Sequence, residues 1–217
     1  FVAKMVVVFA VVKRVLKNTG TVFVNISDTY SGNKTGKTDR KVLQRVKDSQ
    51  SNLQKVAPIQ EKSLIGIPEM FVLAMQKQGW IRRNTIIWQK PNCIPSSADD
   101  RFTVDFEYVY FFSKNKKYHF TKILEPNSEV SIKRAEYELR RENPSSIGSK
   151  SDEYGMPARF VKLNPEGHNK RCVWKVNTKG LPDAHFATFP EALIEPMVLA
   201  GCPKGGLVLD IFMGAGT

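Results

Sequence analysis

The residues best suited to chemistry stand in one stretch, Leu207-Val-Leu-Asp-Ile-Phe-Met-Gly-Ala-Gly-Thr217. The apolar run Leu207 to Leu209 reads as a buried parallel strand, and it ends on an acid, Asp210. Phe212 and a loop holding Gly214 and Gly216 follow. A strand running into a glycine-rich turn lets the backbone of an α/β sheet approach a nucleotide-like ligand, because a Cβ would block the approach or forbid the dihedrals. The Asp210 carboxylate is expected at the carboxyl end of the strand, where such sheets bind ligands. A Gly-x-Gly by itself is most often a plain tight turn or a general nucleotide loop.

Two other polar clusters leave predicted strands. Ser27-Asp-Thr-Tyr-Ser-Gly32 follows the apolar Thr21–Ile26, with Asn25 just inside the strand and Asp28 and Tyr30 just beyond it. Its bland reading is a polar turn. Trp88-Gln-Lys-Pro-Asn92 follows a strand expected over Ile81–Trp88. Taken singly, Trp88 is a core aromatic and Lys90 a surface charge; their meaning lies in the combination. A basic turn, Ser113-Lys-Asn-Lys-Lys-Tyr-His-Phe120, offers Lys114, Lys116 and Lys117 to phosphates. His119 and His168 read as ordinary loop histidines, and no residues show metal-ligand spacing.

The elements that position these residues follow from periodicity. Val2, Met5, Val6, Phe9, Val12 and Leu16 recur at helical spacing, with Lys13, Arg14 and Lys17 in the last turns and Gly20 as the stop. Helix, glycine and strand make one unit of a doubly wound sheet. Residues 33–62 are polar and basic and read as a loop. Leu64–Gln78 is the next helix, with Pro68 in its first turn and Gly79 at its end. Val104, Phe106, Tyr108, Tyr110 and Phe112 alternate along a strand. Glu129–Glu142 fits a charged helix, residues 143–169 a surface loop, and Lys170–Asn177 a returning strand. Glu191–Ala200 is helical, with Pro196 expected to kink or shorten it.

The chain has 217 residues, 41% of them apolar, enough for a real core. Its formal charge of +12 points to a polyanionic partner, with nucleic acid ahead of an acidic membrane surface. No apolar run is long enough to span a bilayer. Cys93, Cys172 and Cys202 are odd in number and widely spaced, which fits reduced thiols in a cytoplasmic protein.

In combination, Asp210-x-Phe212-x-Gly214-x-Gly216-Thr217, preceded by His185-Phe-Ala-Thr-Phe-Pro190, resembles the cofactor-binding half of DNA amino-methyltransferases. The resemblance is to the permuted group, in which the cofactor motif follows the catalytic one. Asn25, Asp28 and Tyr30 match the group's Asn-x-x-Asp-x-Tyr, and Trp88–Asn92 its Trp-x-Lys-Pro-Asn beside the flipped target base. Such enzymes also carry an acid in the strand at Glu107 and a lysine after it at Lys114.

The resemblance implies an α/β Rossmann-like sheet with helices on both faces and an inserted target-recognition region. It divides the chain into core 1–92, insert 93–172 and cofactor-binding core 173–217, with the Leu207–Asp210 strand parallel to Thr21–Ile26. It implies S-adenosylmethionine as cofactor, held by His185, Phe186, Thr188, Phe189, Asp210, Phe212, Gly214, Gly216 and Thr217. It further implies duplex DNA as partner, transfer to the amine of cytosine (N4) or adenine (N6) by base flipping, a prokaryotic or phage cytoplasmic setting, and a companion restriction endonuclease.

The group activates its amine with an Asp/Asn/Ser-Pro-Pro-aromatic tetrapeptide. The sequence contains no Pro-Pro, and the permuted order would place one before Phe1. The chain is therefore expected to be a fragment unable to methylate DNA. Ile211 stands where relatives often carry proline. An RNA or protein methyltransferase, and a non-catalytic nucleic-acid-binding module on the same fold, are the alternatives.

Overall fold

The computed structural model describes residues 1–32, 59–139, 163–179 and 189–213. Helix α1 spans Val2–Val15 and turns its Phe9 side inward. Strand β1 follows over Thr21–Ile26. Helix α2, Ile67–Lys77, opens on Gly66, whose φ of 77° lies in the left-handed region that favours glycine. Pro68 fits its first turn, where no intrahelical N–H is needed. Strand β2 runs from Ile81 to Gln89 with a bulge between Arg82 and Asn84, and strand β3 from Phe106 to Ser113.

Strand β3 inserts between β1 and β2 and runs antiparallel to both. The two earlier strands are therefore parallel to each other, joined through α2, with a later strand filling the gap between them. A short strand β6, Val173–Lys175, adds parallel to the outer side of β2. The carboxyl ends of β1, β2 and β6 thus lie together at one end of the sheet, beside the start of β3.

Both faces of the sheet are covered. On one, Val24, Ile26, Tyr110 and Phe112 pack with Phe9 of α1, Phe71, Val72 and Met75 of α2, and Trp80. On the other, Ile86, Trp88, Val109, Phe111 and Trp174 pack with Leu193 and Met197. The last two come from the last helix among the described residues, Glu191–Gly201 (α4, α3 being described below), which continues through Pro196. Where α4 meets β1, a Cβ on Gly201 would lie 2.5 Å from Thr21 Oγ1 and 2.9 Å from Phe23, so only glycine permits the approach. Thr21 Oγ1 then donates to the Gly201 carbonyl at 3.0 Å. This is an α/β Rossmann-like sheet with helices on both faces.

The second unit, Lys122–Arg171, contains a ladder of Leu124–Glu125 (β4) with His168–Asn169 (β5), and helix α3, Glu129–Leu139. Lys170 binds Glu125 at 3.0 Å there. The carboxyl of Glu125, raised by burial but lowered further by that hydrogen bond and those of its neighbours, ends below its ordinary range.

Two expectations need correction. Residues 93–121 do not belong to an insert: β3 is the central strand, buried on both faces, and clusters with the core unit Phe1–Thr121 and Cys172–Thr217. Leu207–Leu209 forms no strand either. Leu207 is 92% exposed, and among the described residues no strand lies beside it to supply a ladder, without which extended backbone keeps its hydrogen bonds to water.

Candidate active site at the carboxyl ends of the strands

The register of β2 on β3 sets Trp88 opposite Glu107. Lys90, just past the end of β2, ion-pairs with Glu107 and lies over the Trp88 ring, 4.6 Å from its centroid. Both charged side chains are about four-fifths covered, at 19% and 22% exposure, so the pair is shielded from the screening that weakens surface pairs. Trp88 itself is only 3% exposed and donates its indole N–H to the Val176 carbonyl at 2.8 Å. It cannot offer a face to a base; it is the platform on which Lys90 rests.

Asn25 stands on the same face of the sheet, paired with Val109 two residues along β3 from Glu107. Its Nδ2 donates to the Tyr108 carbonyl at 3.0 Å. Its Oδ1 takes no hydrogen bond among the described residues, and neither does the second carboxylate oxygen of Glu107. Two acceptors are thereby held near one strand end, on diagonal positions whose Cα atoms lie roughly 7–8 Å apart.

Asp28 does different work. Its carboxylate accepts the Gly66 N–H at 2.9 Å and the Ile67 N–H at 3.1 Å. Gly66 has no side chain to cap α2, so an acid from the next loop satisfies the helix's orphan donors and meets its positive end. Asn92 is also committed: Nδ2 donates to the Thr178 carbonyl at 2.9 Å, and Oδ1 accepts from the Thr178 N–H at 2.9 Å and its hydroxyl at 3.2 Å. That clasp ties the loop after β2 to the exit of β6.

The connection from β1 to α2 and the connection from β2 to β3 are latched to each other. Arg101 lies over the Tyr30 ring at 3.8 Å, and Lys62 binds Asp100 at 2.7 Å. The hydrogen bond from Lys62, then its charge, holds the Asp100 carboxyl below its ordinary range; the same partner raises Lys62.

A family model described as DNA methylase matches residues 1–217. The chain belongs to the DNA methylase family. It is 35% identical over its whole length to the type II methyltransferase M.SmaI of Serratia marcescens, covering 64% of that protein. To M.Cfr9I of Citrobacter freundii it is 36% identical, and to M.XycI of Xanthomonas campestris pv. cyanopsidis 34%, covering all of this chain and 61% of each relative. The chain thus spans less than two thirds of the length of these curated relatives.

In this DNA methylase chain Lys114 of the basic turn has a structural role. Lys114 Nζ donates to the Leu16 carbonyl at 2.6 Å, closing the end of α1, and Asn115 donates to Asn18 at 2.8 Å. Ser113 pairs with Thr21 and Ile81, so Lys114, Lys116 and Lys117 leave the sheet at the end opposite Lys90. They are not part of this cluster.

Of the cofactor set, Phe189 packs against the core beneath α4, and Asp210 is exposed with Oδ1 accepting the Phe212 N–H at 2.8 Å. His185, Phe186, Thr188, Gly214, Gly216 and Thr217 lie outside the described residues. An exposed carboxylate can meet an ammonium group.

Glu107, Arg101, Asp100 and Thr178 are the partners that local reading missed or left without a role. The resemblance singled out Glu107 without a partner; the pairing of β3 with β2 sets that acid opposite Trp88 and within reach of Lys90.

Proposed function

We propose that this protein is, or is the larger part of, a site-specific DNA methyltransferase. It moves a methyl group from S-adenosylmethionine to the exocyclic amine of cytosine (N4) or adenine (N6) in duplex DNA, with the base out of the stack. The observation that carries this reading is the Lys90–Glu107 pair beside Asn25, at the carboxyl ends of parallel strands, in a chain matched end to end by a DNA methylase family.

When bound, the cofactor supplies the electrophilic methyl group; the chain's task is to hold donor and acceptor in line and exclude water. An exocyclic amine is a weak nucleophile because its lone pair is conjugated with the ring. An acceptor placed on its hydrogens offsets that; the principal acceptor is the tetrapeptide that residues 1–217 do not contain, and Asn25 is a supporting candidate. Its Nδ2 is spent on Tyr108, which fixes the amide orientation and leaves Oδ1 for an amine hydrogen. Lys90, braced by Glu107 and Trp88, presents a fixed cation to the polar edge or the phosphate of the extruded nucleotide. Asp28 and Asn92 shape the loops around them. His185, Phe186, Thr188, Phe189, Asp210, Phe212, Gly214, Gly216 and Thr217 are assigned to the cofactor, and the unit Lys122–Arg171 to target recognition. The type II names of the relatives support a companion restriction endonuclease.

The test is transfer of tritiated methyl from S-adenosylmethionine to duplex DNA by the full gene product, followed by identification of the labelled nucleoside. N4-methylcytosine or N6-methyladenine supports the proposal, with label lost in Asp210→Ala and strongly reduced in Lys90→Met. Label in RNA or protein but not in duplex DNA would overturn it.

A further inference from the structure

The connection between β2 and β3 holds two large apolar side chains in solvent: Ile94 is 90% exposed and Phe102 is 96% exposed. A floppy loop would make this unremarkable, but the connection is closely tied. The Lys90 N–H donates to the Asp105 carbonyl at 2.7 Å and closes its base; the Ser96 N–H donates to Thr103 Oγ1 at 3.1 Å and closes its middle. The tip is pinned again by Arg101 on the Tyr30 ring and by Asp100 on Lys62. Ordering side chains and backbone has an entropic cost, and four contacts along the connection, two of them at its tip, offset it here.

The chemistry of the tip narrows what it meets. Asp99 and Asp100 make it a poor clamp for phosphates, and among the described residues the two cations that fasten it are engaged, Lys62 by Asp100 and Arg101 by Tyr30. What it offers outward is apolar, and it begins directly after Lys90, at the end of the sheet where the site lies. The apolar surface of DNA is its base stack, reached when Phe, Ile or a similar side chain enters between base steps. Extruding a base opens such a gap and costs unstacking energy, which an inserted ring recovers in part.

We infer that Phe102, with Ile94 on the same connection, enters the duplex and fills the space left by the extruded target base. This rests on the base-flipping reading above. The braced loop lets the same segment hold Lys90 for the base outside the helix and Phe102 for the gap inside it.

The experiment uses the full gene product and a duplex carrying 2-aminopurine at the target position, once methylation mapping has given the recognition sequence. The wild-type protein raises the fluorescence on binding. Phe102→Ala reduces that rise by roughly fivefold or more. Phe102→Trp retains most of the rise. An unchanged rise in both Phe102→Ala and Ile94→Ala would overturn the inference while leaving base flipping intact. So would a drop of several degrees in the melting temperature of Phe102→Ala without DNA, which would mark a ring packed by another part of the protein. A wild-type protein that binds the duplex without any rise would sink the base-flipping reading itself, and the inference with it.

Discussion

The two ends of the sheet treat the same residue type in opposite ways. At the amino ends of β1 and β2 the connections are short, and Lys114 comes straight off β3 onto a backbone carbonyl that α1 leaves unpaired. At the carboxyl ends the connections are long, and Lys90 finds a carboxylate and an indole from other elements. A lysine that caps a helix has a partner that substrate cannot change. A lysine braced by side chains keeps donors for a visitor, since an ammonium carries three. The difference comes from topology: parallel strands send their long connections out from one end, and chemistry collects there.

That contrast predicts the largest effect at Lys90. Lys90→Met should cut methyl transfer by the full gene product roughly 100-fold, the loss expected when a positioning group is removed. Lys114→Met should leave transfer within about twofold but cost roughly 1 kcal/mol of stability, the worth of one hydrogen bond at a helix end. Equal losses of transfer in the two variants would erase the distinction between the ends.

Charge reversal sharpens the same comparison on DNA. Lys90→Glu should weaken duplex binding roughly tenfold at low salt, and the double reversal Lys116→Glu/Lys117→Glu clearly less. Affinity for all forms should fall steeply along a salt titration, because a chain of charge +12 binds largely by releasing counterions. A steeper loss in the double reversal would move the DNA to the other end of the sheet.

A smaller effect is expected at Asp28. Asp28→Ala leaves two N–H groups of α2 without acceptors and should cost about 1–2 kcal/mol, a fall of roughly 2–8 °C in melting temperature for a chain this size. Asp28→Asn should recover part of it, since an amide oxygen still accepts. A full loss of transfer in a well-folded Asp28→Asn would instead assign the acid to chemistry.

The smallest is the latch. Asp100 is held below the ordinary carboxyl range and Lys62 above the ordinary amine value by their mutual hydrogen bond and charge. The acid's contribution is therefore complete above its unfolded value and is lost as pH falls through the lowered one; the amine's persists until pH rises through the raised one. Both groups are exposed, so salt should weaken the contact as acid does. Ring-current shifts of the Arg101 side chain over Tyr30, followed by NMR, should report the loop loosening in acid and high salt and holding at neutral pH. Shifts that hold constant down through the acid range would mean the latch does not depend on the pair.

Much of this was legible along the chain. Apolar spacing of three to four marked α1, α2 and α4, glycine and proline marked their ends, and apolar runs marked β1 and β2, because these signals depend on near neighbours. The glycine-rich turn and the Trp-x-Lys-Pro-Asn run were enough to suggest the family, since motifs are local too. What the tertiary structure decided was adjacency. Alternation along Phe106–Ser113 says that a strand has two faces; it does not say that the strand lies between β1 and β2. Only that insertion buries both faces at once, and with it came Glu107 beside Lys90, Trp88 sunk beneath them, and Lys114 carried to the far end. Leu207–Leu209 shows the same limit from the other side: an apolar run states a capacity to pair, but a strand exists only where another strand completes its hydrogen bonds.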